Sequence, residues 1–355
     1  MAQSSNSVRR QAYRFPSGVT LRIHSSQRAV LSHFASEYAS AASEDPGAVD
    51  IEVYAGEKAI ISSGQVDRLS QTYHGRPKIV RWRISVAGLC ADTTYVGFEG
   101  SGQLVISFLQ TFYVEPLLRL KFAARDHALV HAASLAKGGI SVLFPAGSAV
   151  GKSTMTLQHA AEGQGVQGDN YVILTPDGRT LAFPRRMRVY SDLPTINPEV
   201  YAMLPHRERM RLRWAGIVRR LSAGYANMPR RLSLEQIVGE RNRVCREAWL
   251  SAVYLLKPYK GEGLSGPHPK TAEEAIERIL AIGEMESARL VEALPEDQRA
   301  KRMEPALRRE RDVLERALAG VPIFELLVPR VPNPSVLVAQ IRQVAGLAGP
   351  TDGRP

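Results

Sequence analysis

The sequence predicts an α/β fold with a mixed sheet that is built around a phosphate-binding loop. Two observations predict it. The apolar run ISVLF at 140–144 is typical of a buried strand, and it leads directly into the glycine-containing stretch PAGSAVGKST at 145–154. A helical segment at 152–162 then precedes the strand-like runs YVIL at 171–174 and TLAF at 180–183. Strand, loop, helix and strand in alternation are typical of an α/β core.

The same pattern divides the chain into three parts. We expect an N-terminal α+β domain at 1–125, a core that contains the loop at 126–345, and a flexible tail at 346–355. Inside the core, a basic helical insert is expected at about 203–245 and charged helices at about 271–319.

Local patterns predict further elements. In the N-terminal part, DIEVYAG and KIVRWRISVAG are strand-like, and SFLQTFYVEPLLRLKF has an apolar helical pattern. In the core, Gly138 and Gly139 predict a turn between two strands, and Thr271 with Glu274 predicts a capping box at a helix start. The remaining predictions are strands in AWLSAVYLLKP and IFELLVPRVP and a helix in SVLVAQIRQVAG.

Composition places the chain among ordinary globular proteins. Its 355 residues are 44% hydrophobic and 23% charged, which excludes the disordered and collagen-like classes. Cys90 and Cys245 are far apart in sequence, so neither a disulfide framework nor a zinc cluster is expected. No apolar run has the length of a signal peptide core at the N-terminus or of a membrane span elsewhere. We therefore expect a cytoplasmic protein without a membrane partner.

The net charge of +11 is concentrated in one segment. Between Pro205 and Arg231 there are eight arginines and a single acidic residue, Glu208. An apolar stripe recurs at helical spacing in this segment, which predicts an amphipathic helix with an arginine-covered back. The stripe consists of Met210, Trp214, Ile217, Val218 and Leu221. The arginines are either a solvated helix face or a docking surface for an acidic partner, whereas nucleic acid is disfavoured because no binding motif accompanies them.

The loop has the parts that a nucleotide phosphate requires. Backbone amides at a strand-to-helix junction converge on an anion, and the helix N-terminus adds positive charge there. Gly151 permits close approach of the backbone, Lys152 can reach the β- and γ-phosphates, and the Ser153 hydroxyl can ligate Mg²⁺. The predicted nucleotide-binding residues are Ala146, Gly147, Ser148, Ala149, Val150, Gly151, Lys152, Ser153 and Thr154. ATP and Mg²⁺ are therefore the expected ligands.

With HAASLAKGGISVLFPAGSAVGKST and QGDNYVIL, the sequence resembles the HPr kinase/phosphorylase superfamily and the HPr-kinase-like serine kinases, which share a core with PEP carboxykinase. The resemblance runs from about His127 to Tyr190, under half of the chain. The residues at matching positions are His131, Ser148, Gly151, Lys152, Ser153 and Asp169. Ala146 and Ala149 stand where the family usually has glycine, and Asn170 stands where it has a second aspartate.

The resemblance implies a kinase with Asp169, His131 and Lys152 as catalytic residues. Asp169 would accept the proton of an attacking hydroxyl, and His131 would lie near the transferred phosphoryl group. Ser153 and Asn170 would hold the metal, although an asparagine adds no negative charge. Otherwise His131 is a hydrogen-bonded core histidine and Asp169 is a solvated turn residue. The two loop alanines must adopt ordinary backbone dihedral angles or carry strain, because alanine is disfavoured at positive φ.

The acceptor is less well specified. The family implies a hydroxyl, with serine favoured, on a peptide, a protein or a small molecule. Arg185, Arg186 and Arg188 are candidates for holding an anionic group of that acceptor, or they form a solvated edge.

Two functions stay open. The first is an ATP- and Mg²⁺-dependent phosphotransferase. The second is a catalytically weak or inactive nucleotide-binding protein that recruits another component through its basic helix, and Asn170 and the loop alanines favour it. A plain ATPase and a PEP-carboxykinase-like activity also remain open, and a homo-oligomer is compatible with the sequence.

Overall fold

A computed structural model gives the fold. It describes residues 8–56, 72–75, 82–89, 91–147, 150–222, 229–239, 244–292, 294, 296–329 and 334–347. Ser148, Ala149 and Cys90, and the expected tail from 348 onward, lie outside the described residues. Over the ranges just given, no helix is both long enough and apolar enough to cross a bilayer.

The architecture is α/β with mixed sheets, as the sequence predicts. The chain divides into two compact units. The first comprises 1–129 and 283–313, and the second comprises 130–282 and 314–355. The first segment of the first unit ends at residue 129, four residues beyond the boundary expected at 125. The charged helices that were expected in the core contribute residues to both units.

The first unit contains a seven-stranded sheet with the order β3-β1-β2-β4-β7-β6-β5. The two central pairings, β2 with β4 and β4 with β7, are parallel, and the outer pairings are antiparallel. In β4, Ile51, Val53 and Ala55 are buried and alternate with half-buried residues, which is the period of a strand. The strands are β1 Arg9–Arg14, β2 Thr20–Ser25, β3 Ala42–Ser43, β4 Ile51–Gly56, β5 Thr72–Gly75, β6 Trp82–Ala87 and β7 Thr94–Glu99.

Three helices follow in sequence, α1 Arg28–Glu37, α2 Gln103–Leu109 and α3 Glu115–Ala124. A π-helical turn, Gln110–Val114, joins α2 and α3, so the predicted apolar helix over 107–122 is confirmed with one irregular turn.

A buried ion pair ties α3 to a later helix. Two long helices, α9 Ala272–Glu292 and α10 Glu296–Ala317, include the segments that belong to the first unit. The Arg119 guanidinium donates from Nε to Glu310 Oε1 at 2.8 Å, and its Nη2 lies 2.7 Å from Glu310 Oε2 in the ion pair. Both side chains are almost fully buried, and the Arg119 Nη1 also donates to the Ser287 hydroxyl. A Cβ atom on Gly283 would lie 2.4 Å from the Arg119 guanidinium carbon, so only glycine fits beside this pair.

The second unit contains the larger sheet, with the order β11-β9-β10-β16-β13-β12-β8 and with β18 paired to β16 and β17. The long strand β16 joins two parallel neighbours, β10 and β18, to the antiparallel β13. Gly138 and Gly139, both at positive φ, form the predicted turn between β9 and β10. The strands are β8 Ala128–Val130, β9 Ala132–Lys137, β10 Ile140–Pro145, β11 Gly165–Gly168, β12 Val172–Leu174, β13 Arg179–Ala182, β16 Glu247–Tyr259, β17 Ser265–Pro269 and β18 Ile323–Pro329.

Helices and a small hairpin complete the second unit. Strands β14 Met187–Val189 and β15 Arg230–Leu232 pair separately from the large sheet. The Thr271 hydroxyl accepts from the Glu274 amide while the Glu274 carboxylate accepts from the Thr271 amide, which confirms the predicted capping box before α9. The helices are α4 Lys152–Ala161, α5 Leu193–Ile196, α6 Pro198–Met203, α7 His206–Leu221, α8 Leu234–Val238 and α11 Pro334–Val344.

Helix α7 packs in the opposite orientation to that expected of an amphipathic helix. Leu212 is its fully buried residue, whereas Met210, Trp214, Ile217 and Leu221 of the predicted stripe are exposed. A Cβ atom on Gly216 would make only an ordinary contact, 3.6 Å, with the Ser191 side chain, so this part of the helix lies beside the chain before α5. The predicted helix and the exposure of most of its arginines are therefore confirmed, but the expected burial of the apolar stripe was wrong, because the stripe also faces solvent.

Candidate phosphate-binding site

Three segments that carry predicted site residues meet at one edge of the large sheet. The last residue of β10, Pro145, lies opposite the first residue of β9, Ala132. Strand β11 is antiparallel to β9, so it runs in the direction of β10 and ends at the same edge. The predicted loop follows β10, His131 directly precedes β9, and Asp169 directly follows β11. The strand directions therefore bring together residues that are up to 38 positions apart.

The loop ends at a helix N-terminus. Gly151 has φ 88° and ψ 7°, a left-handed conformation that strains residues with a Cβ atom. Helix α4 begins at the next residue, Lys152, whose ammonium Nζ donates to the carbonyl oxygens of Ala146 and Gly147, each at 2.6 Å. The ammonium group is thus held against the loop, next to the helix amides that attract anions.

The backbone at Ala146 agrees with the sequence-based expectation. Ala146 is fully buried and is not among the described residues with positive φ, so alanine carries no backbone strain there. The matching expectation for Ala149 falls outside the described residues.

Asp169 connects the loop helix to the sheet edge. The Ser153 hydroxyl donates to Asp169 Oδ2 at 3.1 Å, and the Asn170 amide nitrogen donates to Asp169 Oδ1 at 3.1 Å. Asp169 is buried, so it is not a solvated turn residue. The structure places the Asp169 carboxylate, rather than the Asn170 amide oxygen, against the predicted metal-binding hydroxyl.

Burial shifts the pKa of both titratable residues at this edge. Desolvation raises the pKa of Asp169 above its ordinary value, although Arg185, the hydrogen bond from Ser153, Arg188 and Lys152 oppose that shift. Desolvation lowers the pKa of His131 to about 3, and the positive charges of Lys152 and the two arginines act in the same direction. His131 is therefore a neutral imidazole at physiological pH, and it can exchange hydrogen bonds with a ligand without adding positive charge.

Aromatic rings and arginines surround His131. Its ring contacts Tyr171 edge-on, with ring centroids 5.3 Å apart, and the Arg185 guanidinium lies 5.3 Å from the centroid of the Tyr171 ring. Arg185 and Arg188 both act electrostatically on Asp169 and His131. Arg186 instead donates to the Gln236 side chain of α8 at 2.5 Å. Of the three predicted arginines, two thus belong to the site and one belongs to a neighbouring contact.

A cavity of about 230 Å³ opens between these segments. Small-molecule pockets commonly measure about 300–1,000 Å³, so this volume suits a phosphate chain better than a whole nucleotide. The residues that line it come from the loop, the first turn of α4 and the sheet edge: His131, Val150, Gly151, Lys152, Ser153, Thr154, Asn170, Arg188 and Tyr190.

The donor set fits a magnesium ion that is held partly by substrate. Oxygen donors of Ser153, Asp169 and Asn170 are hard ligands of the kind that Mg²⁺ prefers, and Mg²⁺ commonly takes only one or two protein ligands beside substrate phosphates. No cluster of three or more histidine, cysteine or acidic side chains suited to a metal occurs in the described part of the chain.

No protein-family model matches the sequence, and no curated protein matches it either.

Several residues of the site were missed in the sequence. Tyr190 lines the cavity and Tyr171 separates His131 from Arg185. Helix α11 packs against the loop and against α4. Its Val338 side chain lies 3.5 Å from where a Cβ atom on Gly151 would be. Its Arg342 forms a bidentate ion pair with Glu162, just after α4. Tyr171 is close in sequence to Asp169, which is a weak signal, whereas nothing local points to α11.

Proposed function

We propose that this protein is an ATP- and Mg²⁺-dependent phosphotransferase that transfers the γ-phosphoryl group to a hydroxyl, with serine favoured, in the manner of HPr-kinase-like serine kinases. The observation that carries the proposal is the contact between Ser153, in the first turn of the loop helix, and the buried carboxylate of Asp169. A phosphate-binding loop alone supports nucleotide binding, but a carboxylate beside it supports chemistry on the nucleotide.

Each residue has a role that follows from its surroundings. Lys152 and the amides at the start of α4 would neutralise charge on the β- and γ-phosphates. Ser153 and Asn170 would hold Mg²⁺ beside the Asp169 carboxylate; when bound, the ion would offset the charge of the phosphate oxygens.

Asp169 is also the candidate base. The bond between phosphorus and the bridging β,γ-oxygen would break, a bond from phosphorus to the acceptor oxygen would form, ADP would leave, and the hydroxyl proton would pass to the Asp169 carboxylate. The raised pKa of Asp169 favours this role, because a base works best when its pKa approaches the working pH. Arg188, which lines the cavity, would hold an anionic group of the acceptor.

The second candidate is a nucleotide-binding protein without phosphotransfer. It is favoured by the observation that both Asp169 oxygens already accept hydrogen bonds, one from Ser153 and one from Asn170. A carboxylate held in this way can organise the loop without taking up a proton. Both candidates require the nucleotide, so they differ in transfer alone.

Nucleotide binding is tested by thermal unfolding with MgATP. At about one hundred times its dissociation constant, a ligand stabilises a protein by about 2.7 kcal/mol, and Lys152→Ala should abolish that gain. Lys260→Ala, which alters an exposed lysine outside the site, is the matched control and should retain it. The absence of any stabilisation in the parent protein would overturn both candidates.

Transfer is tested with γ-labelled ATP and a panel of serine-containing peptides, carrier proteins and free serine. We expect label on an acceptor with the parent protein and none with Asp169→Asn, while MgATP still stabilises both proteins. Binding without transfer to any acceptor would favour the second candidate, and undiminished transfer by Asp169→Asn would remove Asp169 as the base.

A further inference from the structure

Helix α7 presents an apolar stripe to solvent. The exposed fractions are 49% for Met210, 66% for Trp214, 47% for Ile217 and 83% for Leu221. At about 100° per residue, these four side chains fall within an arc of roughly 60° on one side of the helix. Leu212, the buried anchor, lies on the opposite side. The stripe is thus turned away from the core of the second unit.

The spacing of the stripe is that of a coiled-coil seam. Its members are separated by four, three and four residues, the alternation that keeps one helix face against a partner helix. The narrow arc of the four exposed side chains matches such a seam, and Val218 of the predicted stripe, which is half-buried, lies beside it. The geometry favours a helix as the occupant over a membrane.

Arginines flank the seam on both sides. Arg213 and Arg220 border one side, Arg207 and Arg211 border the other, and all four are exposed. The helix carries six arginines and one glutamate, so its field is strongly positive. Positions beside a coiled-coil seam select partners by charge. A helix with acidic residues at those positions would pair with this surface, and a basic one would be repelled.

The same charges disfavour a second copy of this chain. If two α7 helices paired through their stripes, in parallel or antiparallel orientation, arginines of one copy would face arginines of the other. Like charges across a seam destabilise pairing. Self-association through this surface is therefore electrostatically disfavoured, and we expect the occupant to differ in sequence from α7.

We propose that the exposed stripe of α7 is a docking site for an acidic amphipathic helix of a partner protein or peptide. The partner would lay apolar side chains along Met210, Trp214, Ile217 and Leu221 and would place carboxylates against the flanking arginines. This inference does not depend on the proposed phosphotransfer, because none of these residues lines the cavity at the loop.

The test uses the full-length protein and a labelled peptide of three heptads with leucine at the seam positions and glutamate beside them. We expect it to bind at least tenfold more tightly than a matched peptide with lysine beside the seam, and salt should weaken the binding. Leu221→Ser should weaken binding of the glutamate peptide at least tenfold. Arg213→Glu/Arg220→Glu, which balances the charge of Arg207 and Arg211 on the other side, should remove most of the preference for the glutamate peptide. Thermal unfolding and MgATP binding of these variants serve as controls, since the substitutions are exposed.

Four outcomes would overturn the proposal: no binding of either peptide, equal binding of both, a preference that the charge reversal leaves unchanged, or tighter binding to vesicles of anionic phosphatidylglycerol than to the glutamate peptide. Self-association of the parent protein that Leu221→Ser abolishes would also overturn it. A blue shift of tryptophan emission with the glutamate peptide, lost in Trp214→Phe while binding persists, would locate the contact at the stripe.

Discussion

The Ser153 hydroxyl donates a hydrogen bond to the buried carboxylate of Asp169, 16 residues further along the chain. Ser153 lies in the first turn of the loop helix and Asp169 directly follows β11, so the contact connects a helix N-terminus to the sheet edge. It also brings the proposed magnesium ligand and the candidate base within 3.1 Å of each other. The roles of the two residues can be separated by how substitutions act on metal binding, stability and transfer.

Removing the Ser153 hydroxyl should weaken Mg²⁺-dependent binding of ATP more than it weakens binding of metal-free ATP. We expect Ser153→Ala to weaken binding of MgATP at least tenfold, the lower end of the effects typical of metal-site substitutions, while metal-free ATP in the presence of a chelator binds with little change. Titration calorimetry with and without Mg²⁺ measures both values. Ser153→Thr keeps the hydroxyl and should retain Mg²⁺ dependence, and equal losses with and without Mg²⁺ would contradict a role in metal binding.

Neutralising Asp169 should stabilise the protein. Because burial raises the pKa of Asp169, the ionised form lowers stability above that pKa, and the penalty disappears as the carboxylate becomes protonated on acidification. We expect Asp169→Asn to raise the free energy of unfolding by about 1 kcal/mol at neutral pH and by less at lower pH. Substitutions that relieve a destabilised functional site commonly stabilise a protein by such an amount. Chemical denaturation across pH measures it. A loss of stability at neutral pH would instead show that the hydrogen bonds to the charged form dominate.

A side chain at Gly151, the left-handed residue of the loop, should lower the stability of the protein. Gly151→Ala should destabilise the nucleotide-free protein by about 1–2 kcal/mol through its positive φ, since a Cβ atom there meets only ordinary contact with Val338. Gly147→Ala is the matched control, because it has no neighbour within 4 Å of a Cβ atom and no positive φ. Similar melting temperatures for the two variants would argue against the backbone explanation.

The buried histidines should make the protein sensitive to acid. The pKa of His131 is lowered to about 3 and that of His159, on α4, to about 4, in both cases chiefly by burial. Between these values and 6.5 the unfolded chain binds more protons than the folded one, so stability rises with pH in that window and falls on acidification.

Within its window, each histidine should bind one more proton in the unfolded chain than in the folded one. That difference adds about 1.4 kcal/mol per pH unit to the slope of unfolding free energy against pH. We expect His131→Gln and His159→Gln each to flatten the dependence of unfolding free energy on pH between 4 and 6.5, and the double variant to flatten it further. Urea unfolding at several pH values measures the slope. An unchanged slope in His131→Gln would mean that this imidazole is protonated in the folded protein.

The sequence by itself determined the features that depend on neighbours along the chain. The Gly138–Gly139 turn, the capping box of Thr271 and Glu274, and the strand, loop and helix around Gly151 are confirmed because a few adjacent residues fix each of them. The likeness to HPr-kinase-like proteins and the proposed activity remain predictions that the experiments above address.

Only the tertiary structure decided which side chains share a surface. Strand directions, set by pairing between distant segments, brought His131 and Asp169 to the loop. Packing turned Arg186 toward α8, although Arg185 and Arg188 act on the site. It also buried Leu212 of α7 rather than the longer apolar stripe. A periodic pattern specifies that a helix has two faces, but the face that is buried depends on what the rest of the chain places beside it.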